Sequence, residues 1–176
     1  MQKFNVPARG EVSGSNQAIF DNLQKALGFV PNLYAAIAWS DNALGKYLAF
    51  QGGKTSLNNK EKEAVNLVVS QVNGCRYCQS AHTVLGKMNG FTDDEVINIR
   101  KGHSSDLKLN TLVVLAQEIT EQKGRVKDET LTKFFNAGYT REHLVDLIMQ
   151  VSDKIAMNYL HNLTNIPIDF PIAPEL

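Results

Sequence analysis

Two cysteines stand three residues apart, with a histidine one helical turn beyond, in Cys75-Arg76-Tyr77-Cys78-Gln79-Ser80-Ala81-His82. They are the only cysteines in the chain. Such a pair can close a disulfide and reopen it, and a histidine four residues on can take a proton from the second sulfur. At 100° per residue, Cys75, Cys78 and His82 fall within about 60° of one another on a helix wheel. With Cys75 in the first turn, free backbone N–H groups and the helix dipole favour a thiolate. The apolar stripe of this helix is Tyr77, Ala81, Val84, Leu85 and Met88. The cysteines and His82 flank the stripe, so the spacing predicts reactive thiols at a boundary between core and solvent.

Two plainer readings of the pair stand beside this one. Cysteines in a helix can be packing residues. A zinc site needs four ligands, and Cys75, Cys78 and His82 make three, with no second Cys-x-x-Cys or His-x-x-x-His in the chain. Glu63 lies opposite the Val65, Val68, Val69 and Val72 stripe of its own segment, beside Asn66 and Ser70; periodicity alone reads it as a solvated glutamate. His103, His143 and His161 have no partner by spacing and read as structural or surface residues. Tyr34 and Trp39 read as core, or as the mouth of a pocket.

The elements that must position these residues read as helices throughout. Ser13–Leu27 forms the first, stopped by Gly28. A second runs from Pro31 through Trp39 and Leu48 to Gly52-Gly53. Asn58 or Asn59 caps a third, Lys60 to Val72, which Gly74 ends. The cysteine helix runs to Asn89-Gly90. Thr92 and Glu95 form a capping box for a short helix that stops at Gly102. Leu109–Gln122 and Asp128–Asn136 follow, then a long helix from Thr140 to about Leu163. No segment alternates like a half-buried strand, so the strand that precedes Cys-x-x-Cys in thioredoxins is missing. Glu63 and His82 are 19 residues apart, as are Glu142 and His161, and in that register Gln71-Val72 falls on Gln150-Val151. This reads as an internal repeat whose second copy has Lys154 and Met157 in place of the cysteines. The tail Ile166–Pro174 is too rich in proline for a helix and too apolar for a solvated end.

The 176 residues suffice for one well-buried domain, and the 43% hydrophobic and 20% charged composition is that of a soluble globular protein. A formal net charge of zero gives no footprint for nucleic acid or an acidic membrane. No apolar run spans a bilayer, and Met1–Pro7 has no signal core. The chain reads as cytoplasmic, where a structural disulfide is disfavoured.

Glu63-x(11)-Cys75-x-x-Cys78-x-x-x-His82 resembles the core signature of the AhpD-like alkylhydroperoxidases, within the carboxymuconolactone decarboxylase superfamily. Gly28–Tyr34, Leu57–Glu63 and Ile168-Asp169-Phe170-Pro171 are similar to the peroxidase-related branch, and the likeness extends over residues 15–172. It implies an all-α, AhpD-like helical bundle with an internal helical repeat. The expected layout is a single domain over 1–176, with a redox core at 57–90, a second, cysteine-free half at about 108–165 and an apolar tail at 166–176. The resemblance also implies a homo-oligomer, trimer or hexamer, and moves Glu63 from the surface into the active site. By the same resemblance Cys78 is the peroxidatic nucleophile, Cys75 resolves its sulfenic acid to a disulfide, His82 is the general base and Glu63 orients or relays protons. The substrate is a small hydroperoxide. No cofactor or metal is bound, and an external dithiol, in relatives a lipoyl group on a carrier protein, reopens the disulfide. Tyr77 stands where some relatives carry a second histidine, which shortens the relay. The decarboxylase branch lacks the redox cysteines, which argues against lactone decarboxylation. The alternatives are a general thiol–disulfide oxidoreductase, and a non-enzymatic redox-sensing or holdase-like protein.

Overall fold

The computed structural model describes residues 4–176; Met1–Lys3, the start of the segment read for a signal core, lie outside the described residues. Among the described residues all regular structure is helical: a 3-10 turn at Arg9–Glu11, then α1 (Gly14–Leu27), α2 (Asn32–Ile37), α3 (Ala43–Gln51), α4 (Asn59–Val72), α5 (Arg76–Met88), α6 (Asp93–Arg100), α7 (Leu107–Glu121), α8 (Asp128–Asn136) and α9 (Arg141–Thr164). Among them no helix is long and apolar enough to cross a membrane. The chain divides into two compact units, one of residues 1–53 with Leu160–Asp169, the other of Lys54–Tyr159 with Phe170–Leu176.

The first unit packs Val12, Phe20, Ala35, Ala38 and Leu44 together. The expected second helix is two helices, α2 and α3. Its break is held by Asn16 of α1, whose buried amide donates to the carbonyls of Ala38 (3.0 Å) and Ser40 (3.1 Å). A buried carbonyl needs a partner, and Asn16 supplies one where the helix stops. Trp39 sits at this break, 43% exposed, with its indole N–H on the Asn5 carbonyl (2.9 Å). It is neither core nor buried, contrary to its apolar size. Tyr34 is half-buried and donates to Gln51 (2.7 Å). Asp169 accepts from the Asn32 N–H at the start of α2 (2.7 Å), and the Asn32 amide donates to Pro167.

The second unit is built around α4. Ala64 through Ser70 are all buried, because α5, α6 and α7 pack on different sides of it. Its N-terminus carries a reciprocal cap: the Glu61 N–H donates to Asn58, and the Asn58 N–H donates to Glu61. Val65, Leu67, Val68 and Val69 meet Leu112, Val113 and Leu115 of α7 and Phe134 of α8 in one core. Gly86 lets α5 approach closely; a Cβ there would meet Leu67 at 3.3 Å and Phe91 at 3.5 Å.

α9 inverts the usual amphipathic logic. Leu147, Val151 and Met157 are buried as expected, but so are Asp153, Lys154 and Asn158. Val145, Ile148, Met149 and Tyr159 are exposed instead. The segments aligned as a repeat also differ in local structure. Glu63–His82 crosses the break between α4 and α5, whereas Glu142–His161 runs inside α9 without one.

The tail packs on its own chain. Phe170 meets the Tyr77 ring edge-on at 5.6 Å, the Ala173 N–H donates to Ser80 Oγ (3.0 Å), and the Ala173 and Pro174 carbonyls accept from Arg76 and Arg100.

Candidate active site

The thiol pair is set by the way α4 ends. Gly74 adopts φ +64°, a left-handed conformation. The Cys75 N–H then reaches the Ser70 carbonyl (3.0 Å) and the Gly74 N–H that of Gln71 (3.1 Å). This is a Schellman ending, which satisfies the last carbonyls of α4 and reverses the chain. Cys75 becomes the N-cap of α5, and its sulfur accepts from the Cys78 N–H at 3.2 Å. Cys75 is thus the cap residue, one position before the expected first turn, and Cys78 lies within the first turn. There the free N–H groups favour a thiolate.

The sulfurs are not at a boundary. Cys75 is 0% and Cys78 2% exposed, while Met88 at the far end of the predicted apolar stripe is 76% exposed. The first turns of α5 are covered by elements remote in sequence, α9 and the tail, whereas its last turn reaches solvent. Periodicity within one helix carries no information about either.

Glu63 and His82 meet, as the resemblance implies and the periodicity of α4 does not. Glu63 Oε2 lies 2.7 Å from His82 Nδ1, with both side chains largely buried. Glu63 also accepts from Asn66 (3.2 Å), and Asn66 accepts from Gln150 of α9 (2.8 Å). Burial pushes the Glu63 carboxyl up, but His82, Lys154 and Asn66 together bring it below its ordinary range. It is therefore a carboxylate at neutral pH. Burial, aided by the Lys154 charge, holds His82 below its ordinary value against the pull of Glu63. A neutral imidazole facing a carboxylate through Nδ1 must carry its proton there. Nε2 is left as the basic nitrogen.

The contact between the cysteines shifts their proton affinities in opposite directions. The hydrogen bond from Cys75 pulls Cys78 below the ordinary thiol range against the cost of burial, helped by Lys154 and an Asn158 hydrogen bond. Cys75 is pushed far up by the same contact, by burial and by the Cys78 charge. Of the two, Cys78 gives up its proton more readily, with the Cys75 thiol as its hydrogen-bond partner.

α9 supplies the residues that sequence reasoning left out. Asn158 donates to Ser70 Oγ (3.3 Å) and accepts from Asn73 (3.0 Å), at the α4–α5 break. The signal was present in the sequence: Gln150, Lys154 and Asn158 recur every fourth residue on one helix edge. Of the other histidines, His143 bonds Thr140 at the surface and His161 is buried with Nε2 at the Ile166 carbonyl. Among the described residues no group of three or more His, Cys, Asp or Glu side chains is arranged to hold a metal ion.

Residues 35–117 match the model of the carboxymuconolactone decarboxylase family, a segment that includes Glu63, both cysteines and His82. That match, over just under half of the chain, makes it similar to the carboxymuconolactone decarboxylase family. The fold agrees. A peroxidase-related protein with an AhpD core from Ralstonia eutropha JMP134 superposes with a TM-score of 0.85 at 16% identity, over 95% of this chain and 92% of that one. A peroxidase-related protein from Silicibacter sp. TM1040 gives 0.81 at 18% identity, over 99% and 91%. The debrominase Bmp8, solved as a cysteine-to-alanine variant in complex with 2,3,4-tribromopyrrole, gives 0.78 at 14% identity, over 96% and 92%. In sequence, the uncharacterized protein YdfG of Bacillus subtilis (strain 168) is 23% identical over 108 residues, 60% of this chain and 74% of that protein.

Proposed function

We propose that this protein is a thiol-dependent peroxidase working through a Cys75/Cys78 dithiol–disulfide cycle. The observation that carries this reading is the geometry of the pair: Cys75 caps α5 with its sulfur on the Cys78 N–H at 3.2 Å, and Cys78 lies buried in the first turn, where free N–H groups favour a thiolate. The thiolate attacks the terminal oxygen of a hydroperoxide. An S–O bond forms, the O–O bond breaks, and the leaving alkoxide takes a proton to become an alcohol. His82 Nε2, with Glu63 holding the other nitrogen, relays that proton from water. The Cys75 thiol then attacks the sulfenic sulfur, releasing water and leaving a disulfide. An external dithiol reduces the disulfide by exchange.

Burial favours a small oxidant over a protein disulfide, since sulfurs 0% and 2% exposed admit only a slender substrate. The same argument favours a slender dithiol, such as a lipoyl arm, as reductant. A debrominase on this fold marks a second electrophile class for the same two-electron dithiol.

The test is steady-state turnover of hydrogen peroxide, organic hydroperoxides and a bromopyrrole with several dithiol donors. Sustained hydroperoxide turnover with loss of two hydrogens per oxidised chain supports the reading. Turnover only of the halogenated substrate, or oxidation without any reductant-driven cycle, overturns it.

A further inference from the structure

α9 places three polar side chains, Gln150, Lys154 and Asn158, one turn apart along its inner edge. The outer two are anchored to α4 and its C-terminal break: Gln150 donates to Asn66, the amide that holds Glu63, and Asn158 donates to Ser70 and accepts from Asn73 beside Cys75. Lys154 lies midway on the same edge. With its neighbours fixed on either side, Lys154 is held on the same inner edge, close enough for its charge to act on Glu63, His82 and Cys78. It is 3% exposed.

We propose that Lys154 is the fixed counter-cation of the thiol site, holding Cys78 as a thiolate and His82 as a neutral base. The proposal deepens the thiol-redox reading and rests on it. A buried ammonium is costly unless it is paired. Its ion-pair partner on α9, Asp153, is held at 3.5 Å, and Asp153 Oδ1 is buried with no hydrogen-bond partner among the described residues. A pair built only for stability would have its oxygens satisfied. This one is left partly open beside the reactive sulfur, which itself supplies negative charge.

The charged and titratable groups that act on Cys78 are Cys75 from α5 and Asp153 and Lys154 from α9, and Glu63 of α4 and His82 of α5 share the influence of Lys154. Lys154 is the cation among them, because His82 is neutral. The charge of Lys154 favours the Cys78 thiolate and the Glu63 carboxylate and disfavours the His82 imidazolium, whereas Asp153 opposes it at Cys78. One positive charge therefore biases three protonation states in the direction that peroxide attack requires.

The test reads the thiolate directly and needs no peroxide. In the reduced intact protein, the rate of Cys78 alkylation by iodoacetamide, mapped by mass spectrometry, is followed against pH. Lys154→Met should move the profile alkaline by about one unit or more, roughly a tenfold loss of thiolate at neutral pH. Lys154→Arg should stay near wild type, and Asp153→Asn should move the profile the other way. A folded Lys154→Met protein with the wild-type profile overturns the proposal. If Lys154→Met does not fold, the double variant Lys154→Met/Asp153→Asn removes both buried charges. It should still shift alkaline, and an unmoved profile overturns the proposal equally. Wild-type protein that turns over no hydroperoxide, yet shows the alkaline shift on losing Lys154, would sink the peroxidase assignment and leave the counter-cation standing.

Discussion

Cys75 and Cys78 have the same side chain and opposite proton affinities, because one caps the helix and donates while the other lies in its first turn and receives. This asymmetry predicts unequal variants. Cys78→Ser should abolish reaction with peroxide. Cys75→Ser should permit the first oxidation and trap a sulfenic acid at Cys78, detectable by a dimedone adduct; the reverse pattern would exchange the two roles. His82 and Glu63 act on the proton rather than on the resting thiolate. Glu63→Gln and His82→Ala should each slow peroxide reduction by about a hundredfold while changing Cys78 alkylation far less. Equal losses in both assays would mean that the pair makes the thiolate instead. The same two groups give a pH dependence of stability. Both are held below their ordinary values in the fold. Below about pH 6.5 the unfolded chain binds a proton at His82 that the folded chain resists, so stability present above that pH is lost as pH falls. Glu63 adds a further loss at more acid pH. Urea midpoints measured across this range should fall on acidification, and His82→Gln should flatten the first part of the slope.

At the level of elements, the site depends on one turn and one helix edge. Gly74 is the turn: its φ of +64° is what allows Cys75 to leave α4 and begin α5. A Cβ there meets nothing within 4 Å, so Gly74→Ala should cost only the backbone term, about 1–2 kcal/mol. Denaturant unfolding measures it, and a neutral substitution would show that the turn is not a constraint. Asn158 joins α9 to this turn through Ser70 and Asn73. Asn158→Leu removes a partner of the buried Ser70 hydroxyl and should destabilise the fold by about 1–3 kcal/mol. It should also raise the alkylation pKa of Cys78, since an Asn158 hydrogen bond favours that thiolate.

At the scale of the whole molecule, the outer face of α9 and the tail carry the predictions. Val145, Ile148, Met149 and Tyr159 form an exposed apolar stripe whose opposite edge is polar and buried. A helix whose inner edge is committed to a polar site gains by burying its outer edge against another copy. The expected state is a homo-oligomer, and Met149→Glu with Tyr159→Glu should lower the mass seen by light scattering; a monomeric wild type at micromolar concentration would remove the claim. The tail works within its own chain. Arg100 is 2% exposed and joins Gln71, Gln79 and the Pro174 carbonyl. Deleting Phe170–Leu176 strips acceptors from Arg76 and Arg100 and the ring partner of Tyr77. Stability should fall by about 3 kcal/mol or more, at about 1.5–3 for each hydrogen bond to a charged group. An unchanged melting temperature would show the tail to be ornamental.

The sequence by itself determined the helices and the motif. Caps such as Asn58 with Glu61 and Thr92 with Glu95, and stops such as Gly74 and Gly102, are local chemistry, and local chemistry is written in neighbouring residues. The Cys75-to-His82 spacing was legible for the same reason, since these residues share one helix and its cap. Tertiary structure decided the rest. α4 is packed on several sides, so a stripe drawn from one period misplaced Glu63, and only the resemblance corrected it. Trp39 was assigned by size, but its position is fixed by Asn16, a residue of another helix. The burial of the cysteines and the role of Lys154 come from α9, about 75 residues away. A charge there acts on Cys78 through space, and no periodicity within either segment encodes that distance. Burial and electrostatic coupling are properties of neighbours in the fold, and the fold alone makes Lys154 a neighbour.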